Sequence, residues 1–178
     1  MPSVDTVAFR DVSYGLYIVT SASQGRVNGQ LVNTVIQVTA DPPRFAVILN
    51  QKNLTHDLVR ESRVFAAMVL DRSATLEFLG PFGFKSGRDV DKLSRVNHRP
   101  GVTGCPIVTD HCLSAIEVAV TREIPLGTHT IFVGDVVNAE VLKQGKPMTY
   151  RFYHENLRGR TGVNAPTYTP PAKQGGQP

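Results

Sequence analysis

The sequence predicts a mainly β fold: one barrel with short helical insertions in its connections. Three observations carry that prediction. β-branched and aromatic residues gather in short runs cut by Gly, Pro, Asn and Asp. Helical spacing of apolar residues is confined to brief stretches. A chain of 178 residues, 41% hydrophobic and 19% charged, suits one compact domain rather than a disordered or fibrous chain. At that length about two thirds of the unfolded surface can be buried, so the core needs neither a disulfide framework nor a structural metal.

Taken in order, SYGLYIVTS (Ser13 to Ser21) reads as a first strand and GRVNG (Gly25 to Gly29) as turn-rich. LVNTVIQVT (Leu31 to Thr39) reads as a second strand, closed by Asp41, Pro42 and Pro43, and RFAVILN (Arg44 to Asn50) as a third. Two consecutive prolines cannot donate to a ladder, so a turn must join the second strand to the third. Leu54, Leu58 and Val59 then recur at helical spacing, with Asn53 or Thr55 as N-cap and Asp57 in the first turn. FAAMVLD (Phe65 to Asp71) returns to strand, Thr75 to Leu79 suits one helical turn, and GRDVDKL (Gly87 to Leu93) suits the start of another short helix. CLSAIEVAVTREIP and THTIFVGDVVNAEVL flank PLG (Pro125 to Gly127) and read as a long hairpin. The chain shows no internal repeat. Residues 1–160 are expected to form the barrel, and the Pro/Gly-rich residues 161–178 a wrapping arm or disordered tail, because they carry almost no aliphatic side chains.

The net charge of +4 invites a nucleic-acid reading until the charges are located. From Arg151 onward there are four basic residues (Arg151, Arg158, Arg160, Lys173) against Glu155 alone, which leaves the body nearly neutral and disfavours a basic duplex-binding face. Cys105 and Cys112 match neither a CxxC redox pair nor half of a common zinc site, so buried reduced thiols are expected. The first residues, MPSVDTVAFRDV, hold acids and no signal-like apolar run, and no stretch approaches a membrane span. A cytoplasmic protein with no membrane or nucleic-acid partner is the expectation.

Four clusters could carry chemistry. NGQLVNT (Asn28 to Thr34) delivers Gln30, Asn33 and Thr34 at a strand start, suited to a flat heterocycle rich in acceptors; a polar hairpin turn before a half-buried strand explains it equally well. NQKNLTH (Asn50 to His56) sets a helix N-terminus beside Lys52 and Thr55, which suits a phosphate, although a plain cap and a solvated lysine would read the same. FGFKSGRD (Phe82 to Asp89) offers Lys85, Ser86 and Arg88 in a Gly-rich loop without P-loop or GxGxxG spacing. PLGTHTIFVGD (Pro125 to Asp135) places His129 after a tight turn, a position more often structural than catalytic. His56, His98, His111 and His154 form no metal-binding pair, and there is no GxSxG elbow, so hydrolytic readings lose their weight.

In their order and spacing these clusters, from SYGLYIVTS through GTHTIFVGDVV, resemble the flavin reductase-like family of FMN-binding split barrels over roughly residues 8–142. They are also similar to the flavin reductase domains of high-molecular-weight rubredoxins, which end in a segment like YHENLRGRTGVNAPTY. The resemblance implies a Greek-key-like six-stranded split barrel, a homodimer with flavin near the subunit interface, and FMN as cofactor. It implies that Gln30, Leu31, Val32, Asn33 and Thr34 line the isoalloxazine and ribityl chain. Asn50, Gln51, Lys52 and Thr55 would hold the ribityl and phosphate end, with Ser86, Gly87 and Arg88 closing over the phosphate. His129 matches the histidine of the family's GDH segment, near the flavin and nicotinamide; Thr128 stands here in place of the usual Asp.

The implied reaction is hydride transfer from NADH or NADPH to flavin, which is the cofactors' own chemistry and needs no acid–base dyad. His129 is the one candidate catalytic residue, and no metal is expected. With no CxxC pair in the sequence, the electron acceptor is expected to be free flavin or a separate protein, rubredoxin-like or a monooxygenase. An electron-transfer flavoprotein with permanently bound FMN and little direct use of NAD(P)H is the alternative. A nucleic-acid-binding barrel using the basic tail is the weaker rival.

Overall fold

In the computed structural model, which describes residues 4–168, the first two strands are β1 (Tyr17–Ser23) and β2 (Arg26–Val32), joined by a tight turn at Gln24 and Gly25. The GRVNG segment is therefore strand from Arg26 onward, with only Gly25 in the turn. The polar residues Asn28 and Gln30 of β2 are buried, which hides the usual apolar alternation from the sequence. The expected second strand is really two pieces: β2 ends at Val32, and β3 (Val35–Ala40) begins after Asn33 and Thr34. The double proline lies where expected, with Asp41 and Pro42 making the turn and Pro43 opening β4 (Pro43–Asn50).

The chain then crosses through α1 (Leu54–Ser62, N-cap Asn53) to β5 (Val64–Leu70). A nine-residue helix, α2 (Leu76–Phe84), replaces the single turn expected there. Gly80, Pro81 and Gly83 read as breakers, but Leu79 and Phe82 are buried against the barrel, and that burial holds the helix together. No helix forms over Gly87 to Leu93; the segment is a series of turns anchored by buried Leu93. A small hairpin, β6 (His98–Pro100) with β7 (Pro106–Val108), and a six-residue helix, α3 (Tyr150–Glu155), were not foreseen. The long hairpin is as expected, β8 (Cys112–Leu126) with β9 (His129–Val141).

The main sheet has seven strands in the order β2-β1-β5-β8-β9-β4-β3, all neighbours antiparallel. The count exceeds the expected six by β2. Its edge strands β2 and β3 are consecutive in the chain and separated by two residues, so the sheet must curl until its edges meet at that point. There Thr34 ties the junction to β4, accepting from the Ile48 amide at 3.1 Å and donating its hydroxyl to the Ile48 carbonyl at 3.2 Å.

One core fills the barrel, built from Val19, Val47, Leu49, Phe65, Ala67, Val118 and Phe132. A second lies outside it, where Ile18, Ala66, Met68 and Leu70 are covered by α2, β7 and α3. β1 and β5 are thus buried on both faces, which explains their nearly continuous apolar sequences. Cys105 and Cys112 are buried free thiols, and burial pushes the Cys112 thiol up to about 12. His56 is structural: buried, bonded to the Thr130 hydroxyl at 2.9 Å and packed on Phe132. No helix among the described residues is long and apolar enough to cross a membrane. No three His, Cys, Asp or Glu side chains among them cluster as metal ligands.

Candidate functional site

β2, the start of α1, the loop after α2 and the C-terminal segment enclose a cavity of about 510 Å³, within the usual range for small-molecule and cofactor pockets. Gln30, Leu31, Val32 and Asn33 form one wall, and Asn50 and Lys52 another. Ser86, Gly87 and Arg88 reach it from the α2 loop. Thr34, Gln51, Thr55 and His129 do not line it. Thr34 serves the β2–β3 junction, and Gln51 is exposed, with its side-chain amide 3.4 Å from the Thr130 hydroxyl. Thr55 is fully buried one layer behind the wall, where its hydroxyl accepts from Asn28 Nδ2 at 2.8 Å. Asn28 itself faces the cavity, so Thr55 acts on the site through Asn28.

The anion-binding character expected of this region has a local basis. Asn53 caps α1 by position but makes no side-chain bond to the helix, so no capping side chain occupies the N–H groups at the positive end of its dipole. Gly87 packs the loop against β2: a Cβ there would stand 2.1 Å from Asn28 Oδ1, so only glycine lets the loop approach so closely. Arg88 clamps the loop onto α1. Its guanidinium pairs with Asp57 at 2.6 Å and donates to the Lys52 carbonyl at 3.0 Å, so part of its donor capacity is already used.

Lys92 is the cation that sequence reasoning missed. It lines the cavity, is only 7% exposed, and has no ion pair among the described residues. Burial lowers its pKa to about 8. A buried ammonium without a partner is costly, and an anionic ligand would relieve that cost. The Gln30 Oε1 atom is likewise buried without a hydrogen-bond partner among the described residues. An unpaired cation and an unpaired amide oxygen on one cavity suit a ligand with a phosphate and a ring N–H. The signal for Lys92 was hidden because GRDVDKL resembles a solvated helix start, where a lysine is ordinary.

His129 stands behind Asn164. Its Nε2 lies 3.1 Å from the Asn164 carbonyl, which can only accept, so Nε2 carries the hydrogen. Nδ1 is hydrogen-bonded to the Thr128 hydroxyl at 2.8 Å. Thr128 thereby orients the ring, from the position where the resemblance leads one to expect an acid. Tyr150, Tyr153 and residues 160–166 also line the cavity. Burial raises the Tyr153 phenol above its ordinary pKa. The arm expected from residue 161 therefore lines the site as far as Pro166, with Thr167 bonded to Asn33; residues 169–178 lie outside the described residues.

A family model described as flavin reductase like domain matches residues 9–159. The ferric-chelate reductase (NAD(P)H) of Archaeoglobus fulgidus is 46% identical over 165 residues, covering 93% of this chain and 98% of that protein. The high molecular weight rubredoxin of Moorella thermoacetica is 45% identical over 166 residues, covering 93% of this chain and 72% of that protein. Among solved structures, an FMN-binding protein from Thermus thermophilus superposes with a TM-score of 0.69 at 28% identity, covering 79% of this chain and 77% of its own. The flavin reductase HpaC complexed with NADP+ shares the fold, with a TM-score of 0.70 at 24% identity over 81% of this chain and 89% of its own.

Proposed function

The chain belongs to the flavin reductase-like family and has its FMN-binding split-barrel fold, and on that premise we propose that it holds FMN in this cavity and catalyses hydride transfer from NADH or NADPH to flavin. The observation that carries the reading is that one cavity is lined by the largely buried Lys92, which has no ion pair among the described residues, and by the buried, unpartnered Gln30 Oε1. Lys92, Lys52 and the α1 N-terminus would hold the phosphate, with Asn28 steadied by Thr55 and the loop steadied by Arg88. Gln30 would accept from a ring N–H, and Asn33 and Asn50 would meet the polar edge and ribityl chain. When bound, FMN supplies the hydride-accepting chemistry. The chain's own residues orient the rings, keep water out and hold the His129 Nε2–H as a donor.

The electrons then pass to free flavin or to a partner protein, rubredoxin-like or a monooxygenase. The name of the Archaeoglobus relative adds ferric chelates to the acceptors worth assaying. A homodimer fits an exposed apolar sheet face. Ile36, on β3, is 59% exposed, and Ile124, on β8, is 43% exposed; with Ile48 and Ile131 they lie on the side of the sheet opposite the barrel core. Ile48 also lines the cavity, so a second copy on this face would reach the flavin's edge. The two buried thiols suit a reducing cytoplasm. Purified protein should be yellow and should bleach on mixing with NADH or NADPH under anaerobic conditions in a stopped-flow instrument. Flavin that stays oxidised with both nucleotides in excess, yet is reduced by a redox partner, would sink the enzyme reading in favour of an electron-transfer flavoprotein.

A further inference from the structure

The segment after α3 is built as a strap. Gly159 lies flat on the Tyr153 ring, where a Cβ would come within 2.1 Å of it, and His154 Nδ1 donates to the Gly159 carbonyl at 2.8 Å. The Tyr153 hydroxyl then holds the Arg160 carbonyl at 3.0 Å, and Tyr150 bonds the Thr161 hydroxyl. At the far end Thr167 Oγ1 accepts from Asn33 Nδ2 at 2.8 Å and donates to the Tyr150 hydroxyl at 3.1 Å. Between these shoulders the chain crosses the cavity, and Asn164 is its one polar link to the opposite side. The Asn164 side-chain amide donates to Asn53 Oδ1 at 2.9 Å, and its carbonyl takes the Nε2–H of His129.

No side chain from Thr161 to Tyr168 is fully buried, and Val163 is 72% exposed. The strap is thus held by a handful of polar tethers and by no fully buried apolar side chain, which is the composition of a segment that opens at low local cost. The donor it occupies is the one a carbonyl-bearing substrate needs. While the strap is seated, His129 Nε2–H is spent on Asn164; when it lifts, that N–H and the cavity edge beside Asn53 are exposed together.

We propose that residues 160–167 form a displaceable strap acting as an internal competitor for the hydride donor, with Asn164 as the positioning residue that holds His129 Nε2–H until a carboxamide carbonyl replaces the Asn164 carbonyl. This rests on the reading of the cavity as a flavin and nicotinamide site. The apparent affinity for the donor is then the intrinsic affinity reduced by the fraction of molecules with the strap lifted, so loosening the tethers tightens donor binding. The same loosening uncovers the flavin and speeds its release.

The test uses the FMN-loaded full chain with Asn164→Ala and Thr167→Val combined, and Thr167→Ser alone as the conservative variant that keeps the hydroxyl tether. In the double variant KM for NADH or NADPH should fall about tenfold while kcat does not fall with it. FMN release, followed by the recovery of its fluorescence on dilution, should be severalfold faster. Trypsin cleavage after Arg160 should be faster too. In the unmodified chain, NAD+ or NADP+, which cannot reduce the flavin, should speed that cleavage; Thr167→Ser should behave like the unmodified chain. Unchanged KM in the double variant, or cleavage that ignores a nucleotide shown to compete for the site, overturns the proposal. If neither reduced nucleotide bleaches the flavin, the proposed reaction fails separately. FMN release and trypsin cleavage then judge the strap, and values in the double variant equal to those of the unmodified chain overturn it.

Discussion

Lys92 makes the phosphate assignment measurable through pH. In the ligand-free protein its ammonium titrates at about 8 because it is buried without a counter-charge. A phosphate dianion beside it stabilises the charged form and raises that pKa, so FMN prefers the protonated protein. Affinity then follows the protonated fraction. It is half its low-pH plateau at about pH 8, and lower than the plateau by about 11-fold at about pH 9 and about 100-fold at about pH 10. The phosphate's own second ionisation, with a pKa near about 6, is complete well below this window. Titration of the isoalloxazine is common to FMN and riboflavin and cancels in the ratio of their affinities.

The assay is fluorescence titration of both ligands at constant ionic strength from about pH 7 to about pH 10. The FMN-to-riboflavin ratio should fall with a slope approaching one decade per pH unit, and Lys92→Gln should flatten it. A ratio independent of pH in the unmodified chain, or the same slope after Lys92→Gln, refutes the assignment of Lys92 to the phosphate. A companion effect has the opposite sign. The unfolded chain keeps this proton up to the ordinary lysine value of 10.5, whereas the folded chain loses it near 8, so the ligand-free protein gains stability as pH rises between those values.

Replacing Lys52 by Ala should weaken FMN binding by about 10- to 100-fold, on the scale of one charge-assisted hydrogen bond, and riboflavin binding much less. Equal losses in the two titrations would remove Lys52 from the phosphate site. His129→Ala should change the flavin reduction rate or the nicotinamide KM severalfold with little effect on thermal stability; unchanged stopped-flow kinetics would return His129 to a structural role. Glu117 is fully buried and accepts from Val102 N, from both the amide and the hydroxyl of Thr103, and from Asn138 Nδ2 at 2.6 to 3.1 Å. Burial opposes its ionisation, but these donors outweigh it and hold the carboxyl below the usual Glu range. Its stabilisation is therefore present at neutral pH and lost as pH falls below the ordinary Glu value through the folded one. Glu117→Ala should cost about 2–4 kcal/mol in urea unfolding at neutral pH, and the cost should shrink in acid.

The elements legible in the sequence were those whose signal is local. The β8–β9 hairpin announces itself by two long runs rich in β-branched residues around Pro125 to Gly127, and α1 by its Asn53 cap and the spacing of Leu54, Leu58 and Val59. β2 was hidden because Asn28 and Gln30 put amides where a sheet interior normally shows hydrocarbon. α2 was shortened by its glycines and proline, since nothing near them in the chain tells of the barrel surface against which Leu79 and Phe82 pack.

The same division runs through the site. The sequence by itself determined which chemical groups are available: amides at Gln30, Asn33 and Asn50, cations at Lys52 and Arg88, and an imidazole at His129. Only the tertiary structure decided which of them share a cavity. It set Thr55 behind Asn28, gave Lys92 its burial and lowered pKa, and laid Asn164 across to His129 and Thr167 against Asn33, 134 positions away in the chain. The reason is physical. Propensity, capping and alternation arise between near neighbours and can be read from their order. Desolvation, hydrogen-bond satisfaction and tautomer choice depend on whatever distant segments the closing of the barrel brings within a few ångströms.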